Sequence, residues 1–453
     1  MTDKRANERL RALLSEAEWT SDALARAVNV AGAEVGLSLS YDRTSVSHWL
    51  SGTQPRRQIP HLVAEVLSRR LGRAVTGAAV GFTVHDEGVP GPRPGGPSHG
   101  SAVRNLAALV GADTDPVHRL PLQRSPYAAD LSLPRWRTAQ SAPARRTTRA
   151  SGTRQPRVGR AEVATLRSAV ESFASGLDRH GGGHARSALS VYLADDVVPW
   201  LRSSANTQTG RRLRGETSRL VFVLARQYED CGMQGVAQRY FATALLLANE
   251  AEDRVTWAMV LRALSSQALS LNHSRAALVH GEGALAALPP EAPPAVRSFV
   301  TAQVAVARAM AEDRRGALAA LTDAERAADH GRGEDSPFVV YPRAALEYQR
   351  AQTLQRLGDV AGASEALTAS LAHRSPDDRR GHALTCALHV RLLLHAGHVE
   401  EASANWQTFT QLAAGLRSAR VNRASRSLRR ALLPYRSQPT VMALLTGPSQ
   451  PPG

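Results

Sequence analysis

The chain has 453 residues, 43% of them hydrophobic, with 56 Lys and Arg against 40 Asp and Glu for a formal charge of +16. That length accommodates two to four domains, the hydrophobic content excludes a wholly disordered chain, and the charge directs attention to anionic partners, nucleic acid or acidic membrane surface. Two cysteines, Cys231 and Cys386, exclude a disulfide framework or a thiolate metal cage. Lys4 is the only lysine, so the positive charge is almost all arginine, a bias that a GC-rich coding sequence also produces. The charged, amphipathic residues 1–14 lack a signal-peptide core, and no apolar run reaches the ~18 residues of a membrane helix. The expectation is a cytoplasmic protein with buried free thiols and no membrane partner.

Residues 1–82 carry helical periodicity throughout. Leu10, Leu13, Leu14 and Ala17 make one face, and Thr20-Ser21-Asp22 then caps a second helix bearing Leu24, Ala25, Val28 and Val35. Residues 42–52 read as a short third helix, with Asp42 as N-cap and Gly52 as a left-handed stop. Val46, Trp49 and Leu50 share its apolar face, while Arg43, Thr44, Ser45, Ser47 and His48 offer short or forked donors on the other. A small helix packed by one Trp and exposing such donors fits a major groove. Arg43 is the best placed for a bidentate contact to guanine. Thr20 and Ser21 open a helix whose N-terminus can present donors to a phosphate, and Arg56 and Arg57 are further phosphate candidates. The plainer alternative is a packing domain with an ordinary cap and two solvated arginines. A fourth helix follows Pro55, with Leu62, Val63, Val66, Leu67 and Leu71 at helical spacing and Gly72 as its stop.

Residues 83–160 differ in kind. Pro90, Pro92, Pro94 and Pro97 alternate with Gly91, Gly95 and Gly96, and two arginine-rich runs, 145–149 and 154–157, have no apolar period. The stretch reads as a largely disordered linker, with local docking at 106–110 and 127–136.

Residues 161–435 are helical and repetitive. Leu224-Ala225, Tyr228 and Gly232 are followed by Ala237, Tyr240-Phe241 and Ala244-Leu245, and the pattern returns at 350–367 and 392–406, with weaker copies at 270–285 and 309–327. Turns at about 40-residue intervals are those of stacked helical hairpins of the tetratricopeptide kind with lengthened loops. No hairpin buries its face alone, so the array predicts a superhelix whose concave surface takes a protein or peptide partner. Residues 419–433 read as a closing helix and 436–453 as a flexible tail.

Other motifs favour structure over chemistry. Gly181-Gly182-Gly183-His184 lacks the Lys-Ser/Thr of a phosphate loop and follows no strand, so a sharp turn between packed helices is expected. His180 with His184, and Cys386 with His389, fall short of a zinc site. Asp195-Asp196 reads as exposed charge or as partners for Arg186 and Arg202. No catalytic arrangement, metal or cofactor is expected.

Two resemblances bear on function. Leu24-Ala25 and the run Val46-Ser47-His48-Trp49-Leu50-Ser51-Gly52-Thr53-Gln54-Pro55 resemble the helix-turn-helix repressor class of phage and bacterial regulators. That class has a tight turn between its two central helices, whereas residues 29–41 intervene here, as a longer second helix or an inserted loop. Gly181-Gly182-Gly183-His184-Ala185-Arg186, then Tyr192-Leu193 with Asp195-Asp196-Val197 and Pro199, then Gly235 with Ala237-Gln238-Arg239-Tyr240-Phe241, resemble an actinobacterial family joining a helix-turn-helix to tetratricopeptide repeats. Its members regulate sporulation and antibiotic production in streptomycetes. The resemblance implies a transcriptional repressor of development or secondary metabolism that binds double-stranded DNA. Small modules of this class read two half-sites, so a homodimer is expected. The alternatives are a repeat scaffold that sequesters a partner protein without binding DNA, and a peptide-gated sensor.

Overall fold

The computed structural model describes residues 6–83, 102–136, 158–203, 208–329 and 342–446. These are helices and turns, with no strand among the described residues. The architecture is all-α, a helical bundle followed by a superhelix of hairpins.

The bundle holds α1 (Glu8–Glu16), α2 (Ser21–Glu34), α3 (Arg43–Leu50) and α4 (Ile59–Leu71). Asn7 caps α1 by accepting from Leu10 N at 3.0 Å, and Gly72 ends α4 at φ +65°. Leu10, Leu24, Val28, Val46, Trp49, Leu62, Val63 and Leu67 converge on one core. The segment after α4 folds back, placing Phe82 edge-on to the Trp49 ring at 6.1 Å. Both routes left open between α2 and α3 are used. The second helix runs on to Glu34, and Gly36, at φ +73°, then turns the chain into a short connection to Asp42.

Residues 102–136 are built into the fold. The Pro/Gly alternation and the arginine runs lie at positions 84–101 and 137–157, outside the described residues. Between them α5 (Ala102–Thr114) and α6 (Pro116–Gln123) lead into a segment ending at Trp136. Buried Asp113 on α5 accepts hydrogen bonds from Ser190 Oγ at 2.6 Å, Tyr240 OH at 3.0 Å and Tyr228 OH. Gln238 clamps Ala128 by both backbone groups, at 2.9 and 3.0 Å. A Cβ on Gly235 would stand 2.2 Å from Ser125 O, so only glycine admits this segment. Several residues of the motif 235–241 are therefore explained by docking of the preceding segment.

The superhelix follows α7 (Arg160–His180), α8 (Arg186–Tyr192), a π-helical turn (Leu193–Val197) and α9 (Val198–Ser203). Five hairpins pair α10 (Gln208–Asp230) with α11 (Gln234–Ala251), α12 (Arg254–Ser270) with α13 (Ser274–Ala287), α14 (Pro294–Met310) with α15 (Arg314–Asp329), α16 (Arg343–Arg356) with α17 (Val360–Ala372), and α18 (Arg379–Ala396) with α19 (Val399–Ala413). Each turn uses one left-handed residue, Gly232, Asn272, Glu312, Gly358 or Gly397, at φ between 63° and 83°. The amide of the next residue but none returns to the first helix in every case, as from Met233 to Tyr228 O at 3.0 Å and His398 to Leu393 O at 2.9 Å. Buried serines stitch the pairs, Ser218 to Ala244 O at 2.8 Å and Ser298 to Ala324 O at 2.7 Å. The array ends in α20 (Ala419–Leu432) and, after a 3-10 turn, α21 (Pro439–Thr446).

The superhelix meets its own end. α7 packs against α10 and α18, and the glycine run 181–183 lies against Arg417. Gly183 N donates to Arg417 O and Arg417 N to His180 O, both at 2.8 Å. A Cβ on Gly182 would fall 2.4 Å from Gln227 O. The run thus makes the sharp turn and close approach its composition suggests. Beneath it Asp230 accepts from Gly182 N at 2.8 Å and pairs with Arg380 at 3.4 Å, while Arg380 also reaches Asp178 at 3.2 Å.

Candidate nucleic-acid interface

α3 owes its start to Asp42. Asp42 Oδ1 accepts from both Ser45 N and Ser45 Oγ at 2.8 Å, and these bonds hold its carboxyl below the ordinary aspartate value. Ser45 is therefore half-buried and engaged in the cap. Val46 is fully buried and Trp49 is 4% exposed, as their spacing predicts. Tyr41 meets the Trp49 ring edge-on at 4.9 Å.

Arg43, Thr44, Ser47 and His48 remain exposed on the outer face. Arg56 and Arg57 are exposed in the turn between α3 and α4. Among the described residues neither they nor Arg43 form an ion pair, although the Arg56 charge offsets part of the rise that burial gives the Tyr41 phenol. Free guanidiniums beside a rigid helix suit an anionic groove. Thr20 caps α2 by accepting from Ala23 N at 3.1 Å, with Ser21 half-buried beside it. Asp22 stands in that first turn, paired with Arg26, so this helix end already holds a carboxylate.

Asn29 supplies what periodicity does not reveal. Its side chain donates to Tyr41 O at 2.8 Å and accepts from Tyr41 N at 2.9 Å, fixing the approach to α3 against α2. The signal available in the sequence is a lone amide beside the apolar stripe Leu24, Ala25, Val28 and Ala31.

The bundle meets the repeats through α4, leaving the outer face of α3 free. Glu65 Oε1 accepts from Arg69 Nε at 2.8 Å and lies 3.0 Å from His273 Nε2, with Glu65 and His273 both buried. Arg69 also grips both oxygens of Glu34, at 3.1 and 2.9 Å. Tyr127 stacks on His273 at 5.0 Å, and burial followed by the Glu65 charge pushes its phenol well up.

The remaining candidates do not form a reactive centre among the described residues. No group of three or more His, Cys, Asp or Glu there could hold a metal, although the His180 and His184 rings lie 4.5 Å apart. Burial pushes the Cys386 thiol up to about 11 and raises that of Cys231. Asp195 and Asp196 are exposed, and Arg186 pairs with neither because it lies over the Tyr228 ring at 4.7 Å. No helix among the described residues is long and apolar enough to cross a membrane.

A family model described as the SP15 N-terminal domain matches residues 10–83, the span of the bundle from α1 to the strap that carries Phe82. No curated protein matches the chain. Among solved structures, the chain is similar to one described as the crystal structure of the APC/C hetero-tetramer Cut9-Hcn1, at 15% identity and a TM-score of 0.34. That similarity takes in 60% of this chain and 47% of the other, so the chain spans about half the length of the protein it matches.

Proposed function

We propose that the chain is a transcriptional regulator that binds double-stranded DNA, acting as a repressor of development or secondary metabolism of the kind the actinobacterial resemblance implies. The observation that carries this reading is the capped helix α3, whose Val46 and Trp49 are locked in the core while Arg43, Thr44, Ser47 and His48 stay exposed and clear of the repeats. Arg43 contacts guanine, and Thr44, Ser47 and His48 contact neighbouring base edges or phosphates. Ser45 acts through the cap. Thr20, Ser21, Arg56 and Arg57 touch the phosphate backbone on either side. A single module reads only a few base pairs, so the working form is a cytoplasmic homodimer arranged through the repeats, which also take a protein or peptide partner. It needs no cofactor and catalyses no reaction.

Mobility shift tests this directly. Arg43→Ala is expected to cost about 1–3 kcal/mol in binding to the preferred site, roughly tenfold or more, and to relax preference at one base position. Ser47→Ala has a smaller effect. Genome-wide mapping of bound DNA supplies the site. Equal binding by wild type and Arg43→Ala, or no binding at low salt, would leave the second reading, a repeat scaffold that sequesters a partner, favoured by the cavity between α14, α16 and α18.

A further inference from the structure

A cavity of about 540 Å³ opens between the α12–α13 turn and the C-terminal ends of α14 and α16, with α18 as its far wall. That size is in the range of sites that hold a small ligand or a short stretch of peptide. Its lining is mixed in a particular way. Arg356 on α16 and Arg391 on α18 bring two guanidiniums, Gln352 and Asn272 bring amides, and Tyr348 and Leu388 bring apolar surface.

The arginines carry the charge of the site. Some arginines in the repeats face a carboxylate, as Arg308 faces Glu282 at 3.1 Å and Arg374 faces Asp378, and others donate to backbone carbonyls, as Arg297 and Arg379 do. Arg356 donates only to Gln352 O, at 3.3 Å, and Arg391 meets no acid among the described residues. One carboxylate, Glu312, reaches the lining and is bound to neither. Desolvation lowers Arg356 below the ordinary arginine value, with the Tyr348 phenol opposing the shift and the like charge of Arg391 adding to it. Two exposed guanidiniums on one cavity, with Glu312 as the one acid in its lining, make a place that suits an anion.

We propose that this cavity binds an acidic peptide segment, with Arg356 and Arg391 forked onto its carboxylates, Gln352 and Asn272 on its backbone, and an apolar side chain against Tyr348 and Leu388. Guanidinium geometry matches carboxylates two bonds at a time, and amides match a peptide backbone, whereas a nucleic-acid strand would call for a longer row of cations and more than one stacking ring. The assignment rests on the proposal that the repeats take a peptide or protein partner, and it gives that partner its chemistry. It also places the ligand one residue from the bundle contact, because Asn272 precedes His273, which holds Glu65 of α4.

The test uses the full chain and a fluorescein-labelled nonapeptide of alternating glutamate and leucine, read by anisotropy, with a glutamine-for-glutamate peptide as control. The acidic peptide is expected to bind at least tenfold tighter than the control. Arg356→Ala/Arg391→Ala is expected to lose at least tenfold of that affinity while keeping its helical circular dichroism and Tm. Arg104→Ala/Arg315→Ala, which removes two exposed arginines outside the cavity, is expected to bind as wild type does. Equal affinity for the two peptides, or undiminished binding by a folded Arg356→Ala/Arg391→Ala protein, overturns the assignment. Displacement by a single-stranded oligonucleotide at lower concentration than by unlabelled peptide also overturns it and gives the cavity to a phosphate backbone. No DNA enters the binding assay, so a chain that binds the peptide but shifts no DNA loses the regulator reading and keeps this one.

Discussion

The bundle and the repeats bury helical faces by opposite means. In the bundle four helices close around one core, and Trp49 touches its neighbours from inside, with Tyr41 and Phe82 against its ring. In the repeats each hairpin hands its apolar face to the next, so the largest core runs from α5 through α14 without a break. A closed core leaves the far side of a short helix with nothing to pack on, and α3 uses that side for polar groups. A stack of hairpins instead leaves a row of first helices, and the cavity at Arg356 and Arg391 lies on that row. The two kinds of free surface suit different partners, a groove entered by one helix and a cleft entered by an extended chain.

The largest effect is expected where the bundle has least redundancy. Trp49→Ala removes the one large side chain that joins α3 to the core and should cost about 3–5 kcal/mol. Calorimetry or chemical denaturation should then show the bundle melting early while the repeats unfold where they did before. A single transition displaced for the whole chain would mean that the Glu65–His273 contact makes one cooperative unit of both regions, and the comparison would fail.

Gly182→Ala tests the other side. Its Cβ would sit 2.4 Å from Gln227 O, a backbone atom that cannot swing away, so overpacking of about 1–3 kcal/mol is expected. The loss should fall where the superhelix meets its end, at Asp230, Arg380 and Arg417, and be read as faster amide exchange in α7, α18 and α20. Exchange that quickens in the bundle instead would remove the distinction between a closed core and a stack.

Much of this organisation is legible in the sequence because both regions obey the helical period. Val46 and Trp49, the turns at Gly232, Gly358 and Gly397, and the packing role of the glycine run are all local patterns. The turns at Asn272 and Glu312 are harder to see, since Asn signals the left-handed region more weakly than glycine and Glu does not signal it. Residues 102–136 are hidden for another reason. Asp113 acquires its side-chain partners from Ser190, Tyr228 and Tyr240, between 77 and 127 residues away, and neighbouring proline-rich sequence biases the whole stretch toward linker. The candidate interface follows the same rule. Arg43 and its neighbours are readable from one helix, while the Asn29 clamp, the Glu65–His273 contact and the Arg356–Arg391 pair arise between elements that no short window contains.

Acid separates the two regions by a smaller margin and in a defined order. Burial holds His280, on α13, at about 4 instead of 6.5, and burial also pushes down His180, His382 and His389, all in the superhelical region. An unfolded chain takes up these protons as pH falls through about 6.5, while folded His280 refuses its proton until about 4. Folding is therefore undiminished above 6.5, and stability declines as pH drops from there toward 4. In the bundle the depressed groups are Asp42, held down by its bonds to Ser45, and Glu16, held down by its bond to Arg73. Their contributions are present above the ordinary carboxylate values of 3.8 and 4.5 and lost only as pH falls through their lower folded values. The Tm of the repeats should begin to fall at mildly acidic pH, and that of the bundle only in the carboxylate range. His280→Gln keeps a neutral polar side chain in place and should flatten the first decline. If the bundle softens first on acidification, or His280→Gln leaves the profile unchanged, buried histidines are not what sets the acid limit of the stack.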